Sequence, residues 1–223
     1  ASDPYALRRQ GIGIVQIMNA KGVAYPLRDL IRCSLEQFGE KAASDIDGIL
    51  EKIYTFLQNR ISHLLAEEGF SRDVIAAVVS VSVDDVPNVR NRVKSLESLK
   101  ARPDFEPLAI GFKRVVNIIR KSGQAEKGTI AESVDTGLFE HDSEGALLDT
   151  FKAVDLKVSE AMANNDFDRA LVDIASLKDA VDRFFDGVMV MAEDAAIRRN
   201  RLALLGQIAG LFGKFADFSK LST

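Results

Sequence analysis

The side chains in this sequence best suited to recognition chemistry are cations, and they fall in two stretches. Lys113, Asn117, Arg120 and Lys121 stand at positions i, i+4, i+7 and i+8. That spacing places them on one face of a helix, with Arg114 at its edge. Leu108, Phe112, Val115, Val116 and Ile119 point the other way. Four cations and an amide in this arrangement make a ridge suited to phosphate groups. The second stretch, Arg198-Arg199-Asn200-Arg201, is expected early in a helix. Cations there oppose the helix dipole, at about 0.3–1 kcal/mol each. Either Glu193-Asp194 just upstream offsets that cost or the cluster serves a ligand. Two plainer readings stand beside this one. A charged helix face is commonly a solvated one, and acidic residues elsewhere in the fold could neutralise both ridges.

The net charge of −4 excludes a uniformly basic nucleic-acid coat protein, but it hides segregation. Residues 1–89 are net −3, residues 90–121 net +6, residues 122–196 net −11 and residues 197–223 net +4. Both positive segments contain one of the two cation stretches.

Catalytic patterns are missing. The sequence has no glycine-rich phosphate loop, no G-x-S-x-G elbow and no H-E-x-x-H. Gly11-Ile12-Gly13 falls inside a helical pattern and is expected to be a packing site. The adjacent acids Asp84-Asp85 and Glu193-Asp194 suit helix starts, where carboxylates are favoured. His63 flanks an apolar stripe, and His141 has no metal partners at a recognisable spacing. The single cysteine, Cys33, excludes a disulfide framework and a cysteine-based zinc finger, and is expected to be a small buried side chain. Phe184-Phe185 and Phe212/Phe215 are expected in the core, although an exposed ring could stack on a base. No catalytic residue, metal site or cofactor site is expected.

The elements that must position the cations are helical. With 223 residues, 47% apolar, 28% charged and 7% aromatic, the chain can build a substantial core. Asp3-Pro4 reads as a helix start. Further helices are expected from Pro26 to about Phe38 and after Ser44-Asp45 to Gly69. The latter carries a stripe of Ile49, Ile53, Phe56, Leu57, Ile61, Leu64 and Leu65. The β-branched segment 74–83 is read as helix rather than strand, because Ser71-Arg72-Asp73 reads as a cap. Helices are then expected at 86–101, 105–121, 144–164, 167–177, 181–192 and 195–215. Pro103 ends or kinks the first of them. Residues 122–143, with scattered glycines, read as a long loop or linker. The expected architecture is all-α, a multi-helix bundle in two packed groups, 1–101 and 102–223. No run reaches the roughly 18 apolar residues of a membrane span, and no leader opens the chain. A soluble cytosolic protein is expected. A first residue other than Met suggests a piece of a longer one.

Three stretches carry a family resemblance. D-P-Y-A-L-R-R (3–9) resembles the segment leaving the HD-like domain of the bacterial glycyl-tRNA synthetase β subunit. F-K-R-V-V-N-I (112–118) is similar to the opening helix of that family's anticodon-binding domain. F-F-D-G-V-M-V-M-A-E-D (184–194), followed by R-R-N-R-L-A-L-L (198–205), resembles its closing helices. The resemblance implies a helical linker followed by a helical anticodon-binding domain of the arginyl-tRNA synthetase type. Catalysis would lie on a separate α subunit, and ATP would be used by the parent complex rather than by this chain. It implies tRNA(Gly) and the α subunit of a heterotetramer as partners, no DNA, no membrane and a cytoplasmic setting. A tRNA-binding role is implied for Lys113, Arg114, Asn117, Arg120, Lys121, Arg198, Arg199, Asn200 and Arg201. Residue-by-residue carry-over from the family is limited to Arg114 and Asn117 in the first motif and Asn200 and Arg201 in the last. Arg201 has a structural alternative, an ion pair with Asp186 or Glu193. The rival reading of the whole chain is an all-α scaffold that docks a partner subunit or a neighbouring domain.

Overall fold

A computed structural model describes residues 6–39, 45–103, 105–122 and 133–222, without the side chains of residues 7 and 8. These residues form helices and turns with no strand. No described helix is long and apolar enough to cross a membrane. The chain divides into two compact units, 1–97 and 98–223.

The first unit contains α1 (Leu7–Lys21), α2 (Leu27–Glu36), α3 (Ile46–Glu67), α4 (Arg72–Val79) and most of α5 (Val86–Lys100). The expected Asp3-Pro4 start lies outside the described residues. α1 ends at Gly22, whose φ of 62° is the left-handed conformation that glycine adopts without penalty. Asp45 caps α3 by accepting the Gly48 N–H at 3.2 Å, as its position suggests. α1, α2 and α4 all pack on α3. The buried seam of α3 is Leu50, Tyr54, Leu57, Ile61 and Leu65, so Tyr54 belongs to the core and Ile49, Ile53, Phe56 and Leu64 flank it. The Tyr54 hydroxyl accepts the Val83 N–H at 3.0 Å, which satisfies the polar end of a buried ring. Gly11 is a packing site: a Cβ there would meet Phe56 Cε1 at 2.8 Å. The adjacent acids serve two helix starts. Asp84 accepts the Arg28 N–H at 3.0 Å in α2, and Asp85 accepts the Asn88 N–H at 3.1 Å in α5.

Cys33 departs from expectation: it is exposed. α2 buries Leu27, Ile31 and Leu35, at four-residue steps. Cys33 falls two residues past Ile31, about 200° around the helix, on the opposite face.

The second unit contains α6 (Phe105–Lys121), a 3-10 turn (Thr136–Leu138), α7 (Asp142–Ala163), α8 (Phe167–Ala175), α9 (Lys178–Gly187), α10 (Ala195–Phe215) and a second 3-10 turn (Phe218–Lys220). Of the expected loop at 122–143, residues 123–132 lie outside the described set. α7 packs on α8, α9 and α10, while α6 packs on α9, α10 and the closing turn. Phe112, Phe184, Phe212, Phe215 and Phe218 are all fully buried. The Phe112 and Phe212 rings lie 4.2 Å apart, and Phe218 meets Phe112 edge-on at 5.2 Å. Each such ring contributes about 1.5–3 kcal/mol relative to exposure.

The helix expected at 181–192 is displaced toward the N-terminus. α9 stops at Gly187, where a Cβ would meet the His141 ring at 2.6 Å and Ser143 Oγ at 2.9 Å. The start of α7 packs directly on this glycine, so a side chain there would have to displace the His141 ring and the Ser143 hydroxyl. Beyond it the chain leaves the helix. Val190 is buried, whereas Met191, expected inward, is 58% exposed.

Candidate nucleic-acid interface

α6 is strongly amphipathic. It buries Phe105, Leu108, Ala109, Gly111, Phe112, Val115 and Ile119. Arg114, Arg120 and Lys121 are exposed, and Lys113 and Asn117 are half-buried. Arg120 donates to Asn117 Oδ1 at 2.8 Å, which links two members of the ridge. Arg120 and Lys121 also lie in the last turn, where the helix dipole favours cations. The Arg114 guanidinium stacks 3.9 Å above the ring of Phe185 on α9. That contact orients the cation without neutralising it.

The second stretch opens α10. Asp194 caps the helix, accepting the N–H groups of Ala196 at 2.7 Å and Ile197 at 3.1 Å. These donors hold its carboxyl below the usual range, and the nearby charges of Arg199 and Arg198 act in the same direction. The acid upstream therefore offsets the unfavourable placement of the cations. Arg199 is exposed. Arg198 is half-buried and donates to the carbonyls of Ala192 at 2.7 Å and Glu193 at 3.3 Å.

Asn200 and Arg201 are placed differently from the expected surface cluster, since each is only 5% exposed. The Asn200 amide brackets the backbone of Asp135, accepting its N–H and donating to its carbonyl, both at 2.8 Å. Arg201 Nε donates to Glu144 Oε1 at 2.9 Å, Nη2 to Glu140 Oε2 at 3.1 Å and Nη1 to the Met189 carbonyl at 3.0 Å. Neither residue lies on the surface with its neighbours. Both turn inward because α10 is buried almost all round: every residue from Asn200 to Gly206 is buried. The ion pair foreseen for Arg201 exists, but its carboxylates are Glu144 and Glu140 rather than Asp186 or Glu193.

Glu144 is the residue that sequence reasoning missed. It is fully buried and also accepts the N–H groups of Glu140 at 2.9 Å and His141 at 3.0 Å. Burial pushes its carboxyl up. The Arg201 donors and these two N–H groups outweigh that, and the net displacement is downward. Its position three residues after the cap residue His141 is the signal that could have found it, since a glutamate there closes a capping box. Among the described residues no cluster of His, Cys, Asp or Glu could hold a metal ion. The surface of these helices can offer cations, an amide and apolar edges to a polyanion.

Residues 1–80 match the family described as Glycyl-tRNA synthetase beta subunit, and residues 108–216 match the DALR anticodon binding domain. The chain is 50% identical over 221 residues to the glycine–tRNA ligase beta subunit of Desulfatibacillum aliphaticivorans, covering 99% of this chain and 31% of that protein. It is 43% identical over 222 residues to that of Citrifermentans bemidjiense, covering 100% of this chain and 31% of the relative. The chain thus spans about a third of the length of the curated relatives it matches. By these matches along its length, the chain belongs to the glycyl-tRNA synthetase beta subunit family.

Proposed function

We propose that this chain is the tRNA-binding, anticodon-recognising part of a glycine–tRNA ligase beta subunit. In this reading it supports ATP-dependent attachment of glycine to tRNA(Gly) in the cytoplasm, with catalysis on the α subunit of a heterotetramer. One observation carries the reading: the stretch similar to an anticodon-binding domain, 108–216, contains both cation stretches, 113–121 and 198–201. Lys113, Arg114, Asn117, Arg120, Lys121, Arg198 and Arg199 fix the phosphates of the hairpin, and unstacked anticodon bases are read by stacking and edge hydrogen bonds. Asn200 and Arg201 act from beneath by holding the start of α10 against 133–144. A negative net charge does not oppose this, because binding responds to local potential.

Fluorescence anisotropy with tRNA(Gly) at two salt concentrations tests the reading. Binding should weaken steeply with salt. Joint replacement Arg114→Ala and Arg120→Ala should weaken it further and flatten the salt dependence by about two phosphate contacts. Absent or salt-indifferent binding would contradict the reading.

A second reading, docking of a partner subunit, draws on the first unit. Ile17 on α1 is 63% exposed and Phe38, just past α2, is 64% exposed. Ile17→Ser in the whole chain should reduce capture of the α subunit while leaving tRNA affinity unchanged.

A further inference from the structure

A groove of about 450 Å³ runs between the second half of α3 and α4 in the first unit. Its lining includes Arg60, Arg72, His63, Asn59, Ser62 and Ile75, and no described carboxylate. The volume is within the range of small-ligand sites, about 300–1,000 Å³. Residues 1–89 are net acidic, so a cation-lined groove there does not follow from the charge of its surroundings. The Arg60 guanidinium lies 5.5 Å from the Phe56 ring, a contact that steadies the cation without neutralising it. Its buried Nε has no hydrogen-bond partner among the described residues. An unpaired buried donor on a cation is unfavourable, and an incoming anion that draws the guanidinium outward would relieve it. Arg72 is exposed at the first turn of α4. Glu67, outside the lining, lies 3.4 Å from His63 Nε2. Ser62 donates its hydroxyl proton to the Gln58 carbonyl at 3.0 Å, so its lone pairs remain for a donor.

Two guanidinium forks match phosphate oxygens, and an amide with a hydroxyl acceptor matches a ribose. We propose that this groove is a second RNA contact, taking a backbone phosphodiester and its ribose 2′-hydroxyl from tRNA(Gly) outside the anticodon hairpin. The proposal rests on the tRNA-binding reading above. It adds a contact on the unit that does not carry the cation-bearing helices.

The test compares whole tRNA(Gly) with its isolated anticodon hairpin, using the full chain. The double replacement Arg60→Gln, Arg72→Gln should bind whole tRNA roughly three- to tenfold more weakly, with a log–log salt slope smaller by about one to two. Its affinity for the hairpin should be unchanged. Arg72→Glu alone, at an exposed position, should produce a loss of the same kind with an unaltered melting temperature. Unchanged binding of whole tRNA by both variants would overturn the proposal, as would an equal loss on the hairpin. So would intact RNA binding with weakened capture of a protein partner, which would assign the groove to that partner. Arg114→Ala, Arg120→Ala run in parallel separates the two readings: if it weakens hairpin binding while the groove variants do nothing, only the groove proposal fails. If the unaltered chain binds neither RNA, both fall.

Discussion

Arg201 on α10 and Glu144 on α7, 57 positions apart in sequence, form an ion pair with Nε 2.9 Å from Oε1, and both side chains are buried. The pair joins the first turn of α7 to the first turns of α10. Glu140, just before α7, and the carbonyl of Met189 accept from Nη2 and Nη1, and Nη2 also donates to Glu144 Oε2 at 3.3 Å, so every nitrogen of the guanidinium has a partner. An arginine inside a motif that resembles an RNA-binding family is thereby a supporting residue.

Replacing Arg201 with Ala should be severe. It leaves Glu144 charged and buried without its partner, a loss of about 3–5 kcal/mol, against a total stability of about 5–15 kcal/mol for a typical domain. Urea unfolding measures it. Glu144→Gln should be milder, because Arg201 keeps Glu140. At a temperature where Arg201→Ala remains folded, its tRNA affinity should change less than that of Arg120→Ala.

The same pair sets a pH dependence. The Glu144 carboxyl lies below the ordinary glutamate range when folded: Arg201 and the two backbone donors outweigh the burial that pushes it up. A depressed carboxylate stabilises the fold fully above its unfolded value, near 4.3, and that contribution disappears as pH falls through the lower folded value. Thermal melts of the unaltered chain should therefore lose stability on acidification below about pH 4, and Glu144→Gln should show a shallower loss over the same interval.

Asn200→Ala should release the segment around Asp135. Two hydrogen bonds to its backbone vanish, and a buried polar group left unpaired costs about 1–3 kcal/mol. Hydrogen exchange at the Asp135 amide should accelerate well beyond that of core amides in α10. An unchanged rate would mean that the amide does not anchor this segment.

Cys33 should react with a thiol reagent in the native protein without denaturant, because it is exposed on the outer face of α2. Complete protection until unfolding would contradict that placement.

These cases separate what was legible in the sequence from what was not. Local signals were readable: Asp45 and Asp194 cap α3 and α10 through contacts two or three residues away. α6 could be read to its ends because one side is buried and the other charged. The inward turn of Asn200 and Arg201 could not, because α10 is covered on nearly all sides and its periodicity no longer tells in from out. The pairing with Glu144 spans 57 residues, and no spacing rule reaches that far. The packing of His141 and Ser143 against Gly187, at the end of α9, joins segments more than 40 positions apart. In the candidate interface, the exposed cations of α6 were legible as a face. The division of the second cluster into surface arginines and buried supports required the packed fold.

The most direct test of the central claim uses two RNA hairpins that differ only in the anticodon, one from tRNA(Gly) and one with the three bases replaced, titrated against the same chain. The account predicts tighter binding of the first, because replaced bases keep their stacking faces but present mismatched hydrogen-bonding edges, at about 1–3 kcal/mol for each edge left unpaired. It also predicts that Arg120→Ala, Lys121→Ala weakens both hairpins together. Equal affinity for the two hairpins, with no effect of the double replacement, would contradict it.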